Sequence, residues 1–195
     1  MHGLINRAIQ CFVRDSYGQP RWIDVTRFAG VETTDFEAML HYDDSVTEAL
    51  IAACVEVIGA PRETVLEDIG TYLVTHPNVE ALRRLLRFGG LDFVEFLHSL
   101  DDLPERARLA VDDLILPSLE LREHSAQNFS LTCRHDQEGF GHVMIGILRT
   151  MADDYGALVF LEHRGAESEA EVIDITLVEN AFASGREFEL GARAG

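Results

Sequence analysis

The sequence predicts an α+β protein: a helical first half, then a small antiparallel sheet packed on helices. Three observations predict it. Apolar residues recur at helical spacing from Leu4 to Leu103, which is the signature of amphipathic helices. After Pro117 the pattern changes to short strand-like runs at 119–123, 129–135, 158–163 and 172–178. One helical stretch, 139–154, separates the first two runs from the last two, and no internal repeat is present.

Each element has its own justification. Leu4, Ile5, Ala8, Ile9, Phe12 and Val13 share one face of a helix over residues 3–17. Gly18-Gln-Pro20 reads as its stop, and a short helix follows at 22–28. Residues 30–42 read as loop. Asp44 or Ser45 is the candidate cap of a helix that runs to Ile58 and ends at Gly59. Pro61 suits the first turn of the next helix, which ends near Val74. His76-Pro-Asn78 breaks the chain, and Leu82, Leu85 and Leu86 share a face of a further helix closed by Gly89-Gly90. Val94, Leu97, Leu100 and Leu103 continue the helical spacing. Pro104 lacks a backbone donor and clashes with the turn before it, so a kink or a restart is expected there, with Asp101 or Asp102 near the cap. In the second half, Val143, Ile147 and Met151 mark a helix face, and 164–170 reads as a polar turn between strands. Residues 184–195 read as a frayed tail. This leaves one domain over 1–183, with a helical lobe to about residue 65 and an α+β lobe over about 66–183.

Composition narrows the function classes. The chain has 195 residues, 47% of them apolar, which suits one sizeable folded domain. Its net charge is −18, from 34 acidic and 16 basic residues. Such a surface repels phosphate backbones, so neither nucleic acid nor membrane is expected as a partner. No run approaches the ~20 apolar residues of a membrane helix, and no signal peptide is read at the N-terminus. Three separated cysteines, Cys11, Cys54 and Cys133, form no disulfide or zinc pattern and fit a reducing cytoplasm. Phosphate-binding, nucleophile-elbow and zinc-protease motifs are absent, so no enzyme is expected.

Several phrases, in order, carry a family resemblance. They are Met1-His-Gly-Leu-Ile-Asn-Arg-Ala-Ile9, Asp15-Ser-Tyr-Gly18 followed by Trp22, and Tyr42-Asp-Asp-Ser45. Further along stand Glu95-Phe-Leu-His-Ser-Leu-Asp-Asp-Leu103, Leu116-Pro-Ser-Leu119, Glu138-Gly-Phe140 and Ile145-Gly-Ile147. Together they resemble the H-NOX family, the haem nitric oxide/oxygen-binding domains, over nearly the whole chain. The resemblance implies the H-NOX fold with a four-stranded antiparallel sheet, and a sensory role. It also implies action on a signalling protein such as a histidine kinase, a guanylate cyclase or a diguanylate cyclase.

The same resemblance locates a haem site, and this chain departs from it. The family's iron-ligating histidine falls at Pro104, which has no donor atom. The family's Tyr-x-Ser-x-Arg strand, which holds the haem propionates, falls on Cys133, His135 and Gln137. Alternation would point the neighbouring Arg134 to the other face. The positions that line the family's gas pocket, Ile5, Ile9, Val143 and Ile147, are all apolar. No haem bound in the family's way is therefore expected. The leading reading is a sensor-type domain acting in trans, whose former haem cavity either takes another small apolar ligand or has collapsed. The alternatives are a haem sensor with a substituted ligand, drawn from His98, His135 or Cys133, and a ligand-free interaction module. No metal is otherwise expected. His142 reads as exposed or as a cap, and the remaining histidines as scattered.

Overall fold

A computed structural model describes residues 1–109, 111–135, 138–167 and 170–185. Helix α1 (Gly3–Tyr17) opens on His2, whose Nδ1 accepts the Leu4 N–H at 3.2 Å. Gly18, with φ of 88°, ends α1 and at once precedes α2 (Gln19–Ala29). Pro20 belongs not to a stop but to the first turn of α2, where its missing N–H costs nothing. Helix α3 (Asp44–Ile58) is capped by Asp43 without a side-chain bond, while Asp44 pairs with the Met1 ammonium at 2.6 Å. Helix α4 (Arg62–Thr75) leads through a 3-10 turn (Pro77–Val79) into α5 (Glu80–Arg87).

Around Pro104 the chain restarts. Helix α6 (Phe93–His98) is capped by Asp92, whose carboxylate accepts the Glu95 N–H at 2.9 Å. Helix α7 (Leu103–Arg108) carries Pro104 in its first turn, after Asp102 at the cap. Asp101 is not a cap. Its carboxylate accepts the Leu121 N–H at 2.7 Å and ties this corner to the sheet.

The sheet consists of β1 (Ser118–Ser125), β2 (Asn128–Arg134), β3 (Leu158–Glu167) and β4 (Ala170–Glu179), with α8 (Phe140–Tyr155) between β2 and β3. The order is β1-β2-β4-β3 and every pair is antiparallel. Strands β3 and β4 extend into the polar stretch that composition assigns to a turn. Gly165, with φ of 86°, absorbs an irregularity between His163 and Ala166 and lets pairing continue to Glu167↔Ala170. Phe129, Leu131, Cys133, Ile173 and Ile175 face inward against α8 and are buried. Each large apolar side chain buried this way contributes about 1.5–3 kcal/mol.

Two apolar clusters result. The first joins α1, α2 and α3 with Val65, Leu66, Ile69 and Tyr72 of α4. The second joins α5, α6, α7, α8 and the sheet, and Val143 of α8 packs on both. Helices α4 and α8 meet backbone to backbone. A Cβ on Gly70 would overlap the Val143 carbonyl, and one on Gly146 would overlap the Glu67 carbonyl. At its other end α8 stops at Gly156, with φ of 74°, whose carbonyl accepts the Ala183 N–H at 3.0 Å.

A polar contact also fixes the helical lobe. Burial alone would raise the Asp15 carboxyl. Hydrogen bonds from Tyr72 Oη (2.6 Å) and Asn78 Nδ2 (2.9 Å), with His76 and Arg14 nearby, outweigh it and hold the group below its usual value. A depressed folded pKa gives stability that is present above the unfolded-chain value and lost as pH falls through the folded one. Asp15→Asn is therefore expected to flatten the acid limb of a plot of urea midpoint against pH. An acid limb unchanged in this variant would contradict the assignment.

Candidate functional site

The two clusters do not close on each other, because the helices that flank them present aliphatic residues to a shared gap. Leu4, Ile5 and Ile9 of α1 face Leu66 and Ile69 of α4, while Leu82, Leu85 and Leu86 of α5 form another wall. Leu103, Pro104 and Ala107 of α7, and Val143, Met144 and Ile147 of α8, complete a cavity of about 730 Å³. Ligand sites in proteins fall in the range of roughly 300–1,000 Å³. The segment after α7 crosses it with Val111, Leu114, Leu116 and Pro117, and is held to the start of α1 by Asp113, 3.2 Å from His2 Nε2. His2 Nδ1 already accepts a backbone N–H, so its proton sits on Nε2 and is donated to Asp113.

Pro104 is buried and lines this cavity, offering only ring carbons. Ile5, Ile9, Val143 and Ile147 line it too. His135 reaches its edge, with its ring 5.9 Å from that of Phe140. Cys133 is 2% exposed and is not in the cavity wall; burial, then the Glu171 charge beside it, pushes its thiol up to about 12. A thiol held protonated in this way is a poor ligand for a metal. His98 lies elsewhere, half exposed, with Nε2 3.3 Å from Glu123 Oε2. Of the three rescue candidates, only His135 meets the cavity. Gln137 lies outside the described residues. Arg134 points to the outer face of the sheet and pairs with Glu120 at 3.1 Å.

Among the described lining residues, few carry a donor that could hold a haem. The wall position on α7 has no ligating atom. Arg7 is the one arginine among the described lining residues; it is exposed and donates to the Phe36 carbonyl at 3.2 Å. Among the described residues no group of three or more His, Cys, Asp or Glu is arranged to hold a metal ion.

A polar cluster that sequence reasoning missed lies beside the cavity, where α8 begins. Glu171 of β4 is 7% exposed and sits opposite Cys133 in the register. Its Oε1 accepts the Gly139 N–H at 2.7 Å, and its Oε2 accepts the Gly141 N–H at 3.1 Å and the His163 Nε2 proton at 2.8 Å. His142 is neither exposed nor a cap. Its ring stacks on that of His163, with centroids 4.2 Å apart, and its Nδ1 lies 3.4 Å from Glu67 Oε1. Glu67, His142, His163 and Glu171 thus link α4, α8, β3 and β4. No spacing motif joins residues so far apart in the chain; the only sequence hint is that they are polar residues set into apolar runs.

Comparison with known proteins gives consistent matches. The family model for haem-NO-binding domains matches residues 2–163. Soluble guanylate cyclase gcy-31 of Caenorhabditis elegans is 29% identical over 154 residues, 79% of this chain and 22% of that protein. Soluble guanylate cyclase 89Db of Drosophila melanogaster is 20% identical over 158 residues, 81% of this chain and 24% of that protein. The chain thus spans about a quarter or less of the length of these relatives. Among solved structures, the Fe(II) unliganded H-NOX protein from K. algicida superposes with a TM-score of 0.77 at 16% identity, covering 94% of this chain and 100% of that one. An H-NOX protein from S. oneidensis in the Fe(II)NO ligation state gives a TM-score of 0.75 at 15% identity, covering 91% and 99%. No helix among the described residues is long and apolar enough to cross a membrane.

Proposed function

The chain belongs to the haem-NO-binding (H-NOX) family, and we propose on that premise a sensory domain that has lost the family's haem ligation and answers to another small molecule. Domains of this family sense and do not catalyse. The observation that carries the proposal is Pro104: it is buried in the wall of the cavity and has nothing to give an iron atom. An apolar gap of about 730 Å³ remains between α1, α4, α5, α7 and α8 and suits a small apolar ligand. The output is exerted in trans on a signalling protein, such as a histidine kinase or a guanylate or diguanylate cyclase. The guanylate cyclases among the relatives support that partner class. Such a domain works in a reducing cytoplasm, consistent with three free cysteines.

The test is optical. Protein as isolated, and protein titrated with haemin, is expected to show no stoichiometric Soret band. A tight one-to-one complex would overturn the proposal. One observation favours a second reading: His135 lines the cavity and could hold iron. In that case the band appears and His135→Ala abolishes it.

A further inference from the structure

We infer that the cavity accepts an uncharged apolar ligand and turns away carboxylates, because its polar end is already held by the carboxylate of Glu171. The inference rests on the reading of the cavity as a ligand site and deepens it by naming the ligand class.

The first-turn N–H groups of a helix, with the positive end of its dipole, would be a ready receptor for an acid. Helix α8 starts beside the cavity, where Gly139, Phe140 and His135 line it. Two of the donors at that end, the N–H groups of Gly139 and Gly141, are taken. Glu171 accepts the N–H groups of Gly139 and Gly141 at 2.7 and 3.1 Å and the His163 Nε2 proton at 2.8 Å. His163 cannot turn away at low cost. Its Nδ1 accepts the Gly165 N–H at 3.1 Å, which fixes the proton on Nε2, facing Glu171. The space beside Gly141 is also full: a Cβ there would meet Glu171 Oε2 and His163 Nε2 within 2.7 Å.

Among the described residues, the arginines around that end are already paired or directed elsewhere, and an acid would have only His135 of the lining as a cationic partner. Glu138 lines the cavity and adds a second carboxylate. Arg134 is on the outer face with Glu120 at 3.1 Å, and Arg62 pairs with Glu48 at 2.6 Å. Arg7, on α1, is directed to the Phe36 carbonyl. An incoming carboxylate would lose its hydration against a fixed negative charge, and a buried unpaired ion is costly. An alkyl chain meets no such cost and gains from each methylene it buries against Leu, Ile and Val side chains.

The test uses the uncharged dye Nile red and three competitors with the same chain: decanol, methyl decanoate and decanoate, at a pH where the acid is ionised. Leu4→Trp, which fills the cavity from α1, locates the dye by abolishing its uptake. Alcohol and ester are expected to displace the dye, and the acid to be weaker by on the order of tenfold or more. Glu171→Gln is expected to narrow that gap. Should this variant fail to fold, the exposed Glu138→Gln gives the same readout in the same direction. Equal or tighter displacement by the acid overturns the inference and leaves the cavity reading intact. Dye uptake that is absent, or that survives Leu4→Trp, overturns the cavity reading and this inference with it.

Discussion

Gly146→Ala is expected to destabilise the protein by about 3 kcal/mol, at the upper end of overpacking substitutions. On propensity alone, alanine in mid-helix would stabilise by about 1 kcal/mol. Packing overrides this, because a Cβ at Gly146 would overlap the Glu67 carbonyl of α4, and backbone cannot swing aside as a flexible side chain can. Gly70 makes the reciprocal contact with the Val143 carbonyl. The two glycines therefore act as one notch. Once either alanine has pushed α4 and α8 apart, the second should cost less than it does alone, a coupling that a double-mutant cycle measures. Chemical denaturation checks both statements. A Gly146→Ala protein as stable as the parent would mean that the helices are further apart than described.

On the proposed haem-free reading of the parent, Pro104→His is expected to confer one-to-one haemin binding, with a Kd of order micromolar, roughly −8 kcal/mol. Pro104 already faces the cavity from the first turn of α7, so the imidazole enters the same space. The backbone tolerates the exchange, since first-turn N–H groups have no intrahelical partner whether or not proline is present. The affinity stays modest because Glu171 and Glu138 stand near the edge where the porphyrin's acid groups would seek a cation. Pro104→Ala, which lacks a donor, is expected to gain nothing. A Soret titration on the three proteins separates the outcomes. No band in Pro104→His would show that the missing ligand is not what keeps haem out.

The fold is most legible in the sequence where one physical signal dominates. The apolar stripe of α1, with Gly18 and Gly30 closing the first two helices, is local information, and so is the left-handed Gly59 after α3. Punctuation is harder to read. Pro20 stops one helix or starts another depending on which N–H it spares, and periodicity does not distinguish the two. The restart before α7 is legible from Pro104 alone, because Leu97, Leu100 and Leu103 keep helical spacing while the chain turns. All three remain buried across the turn. The continuation of β3 beyond His163 is hidden by polar composition, since β3 is an edge strand and one of its faces meets solvent.

The cavity wall on α1 and α8 is legible through the family resemblance. The occupant of its polar end is not. Glu171 lies 30 residues from the Gly141 N–H it accepts, and only the antiparallel register of β2 and β4 brings it under α8. His142 and His163 are stacked by the meeting of a helix and an edge strand, which leaves no mark on their neighbours in sequence.

Helix α8 is also a rod. Its sixteen residues span about 24 Å. Near one tip Val143 borders the cavity; at the other the Gly156 carbonyl grips the backbone of Ala183. On the proposed reading of the cavity, a guest that pried Val143 outward would be expected to tug the segment trailing β4, so that occupancy inside is written as position outside.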